Sequence, residues 1–201
     1  MQLLAKCRAL VGSLTHLMLS SNDATGNRFN PSFMAGKMFA MSLRSSRHMT
    51  HLDLSGNLLH DAAGGAEASC FAAVCDAIGN LIHLQHLNLA ATSFGEAGCR
   101  RLAVALAALR ELRFLDLSGN GIGSDGMKTL VPAIRGEVTY LNLASNDVGP
   151  DGVAALNSAL PTLRELVTLD LSHNRLSSGL RLIETVHIKG HKQERSNPPP
   201  P

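Results

Sequence analysis

The sequence predicts an α/β solenoid of about six repeats, each a short strand followed by a helix. Three observations predict it. An eleven-residue pattern, L-x-x-L-x-L-x-x-N-x-L, recurs at residues 14–24 (LTHLMLSSNDA), 49–59 (MTHLDLSGNLL), 84–94 (LQHLNLAATSF), 112–122 (LRFLDLSGNGI), 138–148 (VTYLNLASNDV) and 166–176 (LVTLDLSHNRL). The copies start 35, 35, 28, 26 and 28 residues apart, and a period near 28 leaves room for a helix between strands. The chain of 201 residues is 45% apolar but only 3% aromatic, with no Trp, which suits uniform stacked turns of Leu, Ala, Val and Ile.

Each copy reads as a strand and a turn. Side chains alternate along a strand, so Leu115 and Leu117 share one face, and Leu112 and Ile122 turn inward at the bends. Asn120 stands where the chain leaves the strand, and its amide can satisfy backbone groups exposed by the turn. The same position holds Asn22, Asn57, Asn146 and Asn174, a structural ladder from turn to turn. Thr92 is the departure. Its hydroxyl is shorter and has one donor, so a looser stack is expected there, with about 1 kcal/mol lost for one missing hydrogen bond.

The elements follow in order. Residues 1–13 read as the end of a helix, a partial repeat with no polar cap, so the chain is expected to begin within a repeat. Residues 14–188 form the repeat domain, and residues 189–201 a polar tail ending in four prolines, expected to be disordered. Asn30 as N-cap and Pro31 at the first helical position predict a helix start. Phe33, Met34, Met38, Phe39, Met41 and Leu43 supply its apolar face. Asp61 is placed to cap a helix through Ile78, whose buried side carries Val74, Ala77 and Ile78. The next three repeats share a Gly-x-x-Gly turn: Gly95 to Gly98, Gly123 to Gly126, Gly149 to Gly152. The first Gly is expected to make the bend, and Glu96, Asp125 and Asp151 to sit at helix N-termini, where negative charge is favoured. Leu102 with Leu106, Leu130 with Ile134, and Leu156 with Leu160 form the helical apolar pairs, and small Ala105, Ala133 and Ala159 permit close packing.

With its strand motif, its Gly-x-x-Gly turn and helices such as SDGMKTLVPAI and PDGVAALNSAL, the chain resembles the ribonuclease-inhibitor-like class of leucine-rich-repeat proteins over residues 14–176. That resemblance implies a right-handed horseshoe with a parallel sheet on the concave face and helices on the convex face. The class includes ribonuclease inhibitors, innate-immune sensors and activators of the Ran GTPase, so it implies a fold and not an activity.

A formal net charge of +2 is too small to predict attraction to nucleic acid or membrane. The apolar stretches fall short of the ~20 residues that span a bilayer. Cys7, Cys70, Cys75 and Cys99 form no C-x-x-C pair and read as buried thiols of a reducing compartment, and Pro31 blocks the one glycosylation match, Asn30-Pro31-Ser32; both point to the cytoplasm. There is no nucleophile elbow, zinc-protease motif or phosphate-cradling loop, so neither catalysis nor a cofactor is expected.

The outward positions of the strands form two columns. One reads His16, His51, His86, Phe114, Tyr140, Thr168, and the other Met18, Asp53, Asn88, Asp116, Asn142, Asp170. Three stacked histidines suggest a metal, but a flat ladder lacks converging geometry, and none is expected. The columns read instead as a protein-binding face, with His51, His86, Phe114 and Tyr140 as anchors and Asp53, Asp116 and Asp170 setting its electrostatic preference; Asn88 and Asn142 belong to the same face, in a column that is also partly a structural habit of the repeat. The alternatives are regulation of a small GTPase, which the resemblance to the Ran-activator branch would imply, and a fragment of a longer repeat protein. The acidic tail of that branch is absent, and no residue matches its activity by motif.

Overall fold

The computed structural model describes residues 12–22, 26–27, 30–31, 33–59 and 70–176. Six of its strands form one parallel sheet in sequential order. They are β1 (His16–Met18), β4 (His51–Asp53), β5 (His86–Asn88), β6 (Phe114–Asp116), β7 (Tyr140–Asn142) and β8 (Thr168–Asp170). The sheet is open, and equivalent repeat positions pair in register from His16 through His51, His86, Phe114 and Tyr140 to Thr168. Helices α1 (Phe33–Leu43), α2 (Cys70–Ile78), α3 (Gly95–Ala108), α4 (Gly123–Leu130) and α5 (Pro150–Ala159) connect them, each packed on the next.

Between sheet and helices lies one core. Strand residues Leu52, Leu87, Leu115 and Leu141 are fully buried, as are Leu54, Leu89, Leu117 and Leu143 two positions on. The helices contribute Val74, Ile78, Leu102, Leu106, Leu130 and Leu156. Cys70, Cys75 and Cys99 are buried within it. The second Gly of each Gly-x-x-Gly turn permits close approach rather than a bend. A Cβ on Gly126 would fall 2.7 Å from Cys99 Sγ, and one on Gly152 would fall 3.1 Å from the Ser124 Cα.

Several local expectations are corrected. Asn30–Pro31 is a strand, β3, antiparallel to β2 (Gly26–Asn27), and the helix starts at Phe33. Among the described side chains of α1, the buried apolar ones are Phe39, Ala40 and Leu43, one face at helical spacing, whereas Met38 and Met41 flank it and are exposed; the side chains of Phe33 and Met34 lie outside those described. Ile134 lies outside α4 with extended backbone, after a 3-10 turn at Val131–Ala133. Leu160 likewise opens a 3-10 turn, Leu160–Thr162. Pro132 and Pro161 are the cause: each lacks the N–H that would continue the α-helical ladder. Gly95 and Gly123 take left-handed backbone, with φ of 63° and 65°, but Gly149 is extended at φ −96°. Pro150 follows it, and a proline drives its predecessor out of the helical region. Asp61, the 1–11 segment and the tail at 189–201 lie outside the described residues.

Candidate functional site

The turn ladder sets the site's frame. Buried Asn120 Nδ2 donates to the carbonyls of Leu89 (2.8 Å), Leu117 (2.9 Å) and Ser118 (3.1 Å), and its own N–H donates to Asn146 Oδ1 at 2.9 Å. Asn146 and Asn174 repeat this, reaching back to Leu117 and Leu143 respectively. Asn57 Nδ2 reaches back to Leu19 O at 2.7 Å, and the Asn22 N–H donates to Asn57 Oδ1 at 3.1 Å. Thr92 is fully buried and its N–H donates to Asn120 Oδ1 at 2.9 Å. Its single hydroxyl proton goes to Leu89 O or to Asn120 Oδ1, within its own repeat or forward. It cannot add the donation that the amides send to the preceding repeat. Thr92→Asn is therefore expected to raise stability by about 1 kcal/mol, read as a higher denaturant midpoint at unchanged slope. An unchanged or lower midpoint would show that the turn has no room for the amide.

On the open face five rings stack in sequence across five neighbouring strands. Centroid separations are 4.1 Å for His16–His51, 5.4 Å for His51–His86, 3.9 Å for His86–Phe114 and 4.4 Å for Phe114–Tyr140, with interplanar angles of 18° or less. Parallel in-register pairing produces this, since strands ~4.8 Å apart set neighbouring rings at about stacking distance. Of the residues singled out from sequence, His51, His86, Phe114 and Tyr140 all stand in this stack. His16 belongs to it too, and its place at the head of the same column is the sequence signal for it.

The second column is hydrogen-bonded in pairs and to the serines beside it. Asp53 Oδ1 accepts from the Ser55 N–H (2.8 Å) and hydroxyl (2.7 Å), and Asp116 Oδ1 does the same with Ser118 (2.9 and 2.7 Å). Asn88 Nδ2 donates to Asp53 Oδ2 at 3.2 Å, and Asn142 Nδ2 donates to Asp116 Oδ2 at 3.0 Å. Asp170 Oδ1 accepts from the Ser172 N–H at 2.8 Å, a bond that holds its carboxyl below the ordinary aspartate value. None of the four ion pairs seen among the described residues uses Asp53, Asp116 or Asp170.

His51 and His86 are held toward neutrality. Burial lowers the His51 pKa, and a charge on His16 lowers it further. Burial lowers His86 as well, then His51, while Asp53 and Asp116 act in the opposite sense. The Nδ1 atoms of His16 and His51 each meet the hydroxyl of the preceding threonine, Thr15 or Thr50, at 2.9 Å. Gln85 stands at that place before His86, whose buried Nδ1 has no hydrogen-bond partner. In the unfolded chain both imidazoles protonate near the ordinary value of about 6.5. The unfolded state thus binds more protons in the window just below that value, and stability rises with pH through it. The loss is complete once pH falls below the folded values, and these groups contribute none of it above the ordinary one. A proton NMR titration is expected to find His86 and His51 titrating below 6.5, and values at or above 6.5 would remove this source of acid sensitivity.

Among the described residues no group of three or more His, Cys, Asp or Glu side chains is placed to hold a metal ion. No described helix is long and apolar enough to cross a membrane.

The Leucine Rich repeat family pattern matches residues 45–66, 109–131 and 138–156, and a second Leucine Rich Repeat pattern matches 165–185. The human NACHT, LRR and PYD domains-containing protein 13 is 38% identical over 102 residues, 50% of this chain and 9% of that protein. The mouse NACHT, LRR and PYD domains-containing protein 14 is 33% identical over 165 residues, 80% of this chain and 16% of that protein. The chain thus spans less than a fifth of the length of these relatives. An internalin structure from Listeria monocytogenes aligns over 88% of this chain and 68% of that one, at 13% identity and a TM-score of 0.27, too loose a fit to bear on function. The repeat-family matches, the strand motif and the in-register sheet together make the chain a leucine-rich-repeat protein, with repeats similar to those of the NACHT, LRR and PYD domains-containing proteins.

Proposed function

We infer that the chain is a non-catalytic protein-interaction module whose concave sheet face receives a protein partner. The observation that carries this is the unbroken stack from His16 to Tyr140 on an open face. Its rings are held in place by their neighbours and by the sheet, so little side-chain entropy remains to be lost on binding. Aromatic side chains of this kind dominate interface energetics where they occur. The compartment that fits is the cytoplasm: Cys75 and Cys99 are free thiols, and burial pushes the Cys99 thiol up to about 12, so it stays protonated and inert. No residue supports the GTPase alternative.

Phe114→Ala/Tyr140→Ala tests the reading. Both side chains are only half-buried, so the variant is expected to keep its circular dichroism spectrum while losing at least about tenfold in affinity for partners captured by the unaltered chain. A folded variant that retains its partners would place binding elsewhere.

A further inference from the structure

We propose that the concave face docks an extended, cationic segment of a partner protein in polyproline II conformation, running across the strands with a basic side chain at every third residue. This rests on the concave-face reading above and names the chemistry of the occupant.

The register carries the argument. Asp53, Asn88, Asp116, Asn142 and Asp170 lie opposite one another on consecutive strands, so carboxylates alternate with amides along the sheet. With strands ~4.8 Å apart, the carboxylates repeat every ~9.6 Å and span ~19 Å from Asp53 to Asp170. A polyproline II helix has three residues per turn and rises 3.1 Å per residue, so its every-third side chains share one face ~9.3 Å apart, and seven residues span ~19 Å. The other regular conformations miss this spacing. In a β-strand, residues three apart point to opposite faces. In an α-helix, the nearest same-face match is seven residues, ~10.5 Å, and slips ~2 Å over two steps.

Charge and geometry select a cation. The three carboxylates have no cationic partner in the observed ion pairs, and burial holds the adjoining His51 and His86 toward the neutral form. The serine bonds fix each carboxylate in direction, with asparagine bonds added at Asp53 and Asp116, and the Oδ2 atom of each retains capacity for a further charge-assisted bond. Phe114 has both faces covered, by His86 at 3.9 Å and Tyr140 at 4.4 Å. A partner cation therefore cannot settle on that ring face and is directed to the aspartates, while the ring edges form an apolar rail beside the peptide.

The test uses two heptapeptides of equal composition, measured by fluorescence anisotropy against the full chain. One has arginine at its first, fourth and seventh positions with proline between; the other has its three arginines adjacent. The spaced peptide is expected to bind about tenfold tighter. The Asp53→Asn/Asp116→Asn/Asp170→Asn variant is expected to abolish the preference; it turns the column into the amide that Asn88 and Asn142 already place there, so the fold should tolerate it, as circular dichroism would check. Equal affinity for the two peptides, no binding of either, or a preference that survives in the folded triple variant would overturn the proposal. Those results leave the concave-face reading standing if Phe114→Ala/Tyr140→Ala still loses its captured partners; retention of the partners by that variant removes both.

Discussion

Asn146→Ala should destabilise the protein by about 4 kcal/mol, a large fraction of a domain's stability. The side chain is fully buried. Its Oδ1 accepts the N–H groups of Asn120 (2.9 Å) and Ile122 (3.4 Å), and its Nδ2 donates to the carbonyls of Leu117 (2.9 Å), Leu143 (3.0 Å) and Ala144 (3.1 Å). Alanine leaves the N–H groups of Asn120 and Ile122 inside without that acceptor, whereas the carbonyls of Leu117, Leu143 and Ala144 keep donations from Asn120, Asn174 and Gly119, and each buried unsatisfied group costs about 1–3 kcal/mol. Asn22→Ala supplies the contrast. Asn22 occupies the same repeat position but is exposed, so water replaces what its side chain gives up, and a loss under about 1 kcal/mol is expected. Urea unfolding of the two variants decides the matter: equal losses would mean that position within the repeat, and not burial of the turn, governs the ladder's worth.

Leu115→Ala is expected to cost about 3–5 kcal/mol through lost transfer energy and the cavity left behind. Leu115 is fully buried, with Leu87 and Leu141 opposite it on the two neighbouring strands. Close packing on both sides limits collapse into the void. Leu169, the equivalent residue on the last described strand, is only half-buried and has a neighbour strand on one side, so Leu169→Ala should cost clearly less. Thermal or denaturant midpoints would check the order, and a larger loss at Leu169 would contradict a core centred on the middle repeats.

Strand positions were legible in the sequence because two constraints coincide there: alternation fixes which side chains point in, and the repeat fixes which residues stand opposite one another. That is why the ring column and the acid–amide column could be written down before any geometry. The helical side was less legible. Pro132 and Pro161 end helices inside runs whose apolar spacing continues past them, so periodicity alone carried the helix too far. At Asn30–Pro31, cap chemistry suited a helix start, yet those residues pair with Gly26–Asn27. The residue before each ladder position is left-handed in all six repeats, at Ser21, Gly56, Ala91, Gly119, Ser145 and His173. Only two of these are glycine, so backbone handedness left no consistent residue type to read. His16 shows a different failure: its column was visible, but a ring's membership in a stack depends on torsions that a repeat pattern does not state.

The substitution at Thr92 has a further consequence for how the solenoid opens. In a linear array each repeat is secured by its neighbours alone, so the weakest junction sets where the array divides. Three asparagines, at 120, 146 and 174, bolt each later turn to the one before it, whereas Thr92 directs its hydroxyl away from the preceding turn. The boundary between the second and third repeats is thus a seam. Below the threshold for global unfolding, the first two repeats should detach as one cooperative unit while the later four remain shut. Amide hydrogen exchange would register this as a step in protection between Leu54 and Leu89, with Thr92→Asn flattening the step.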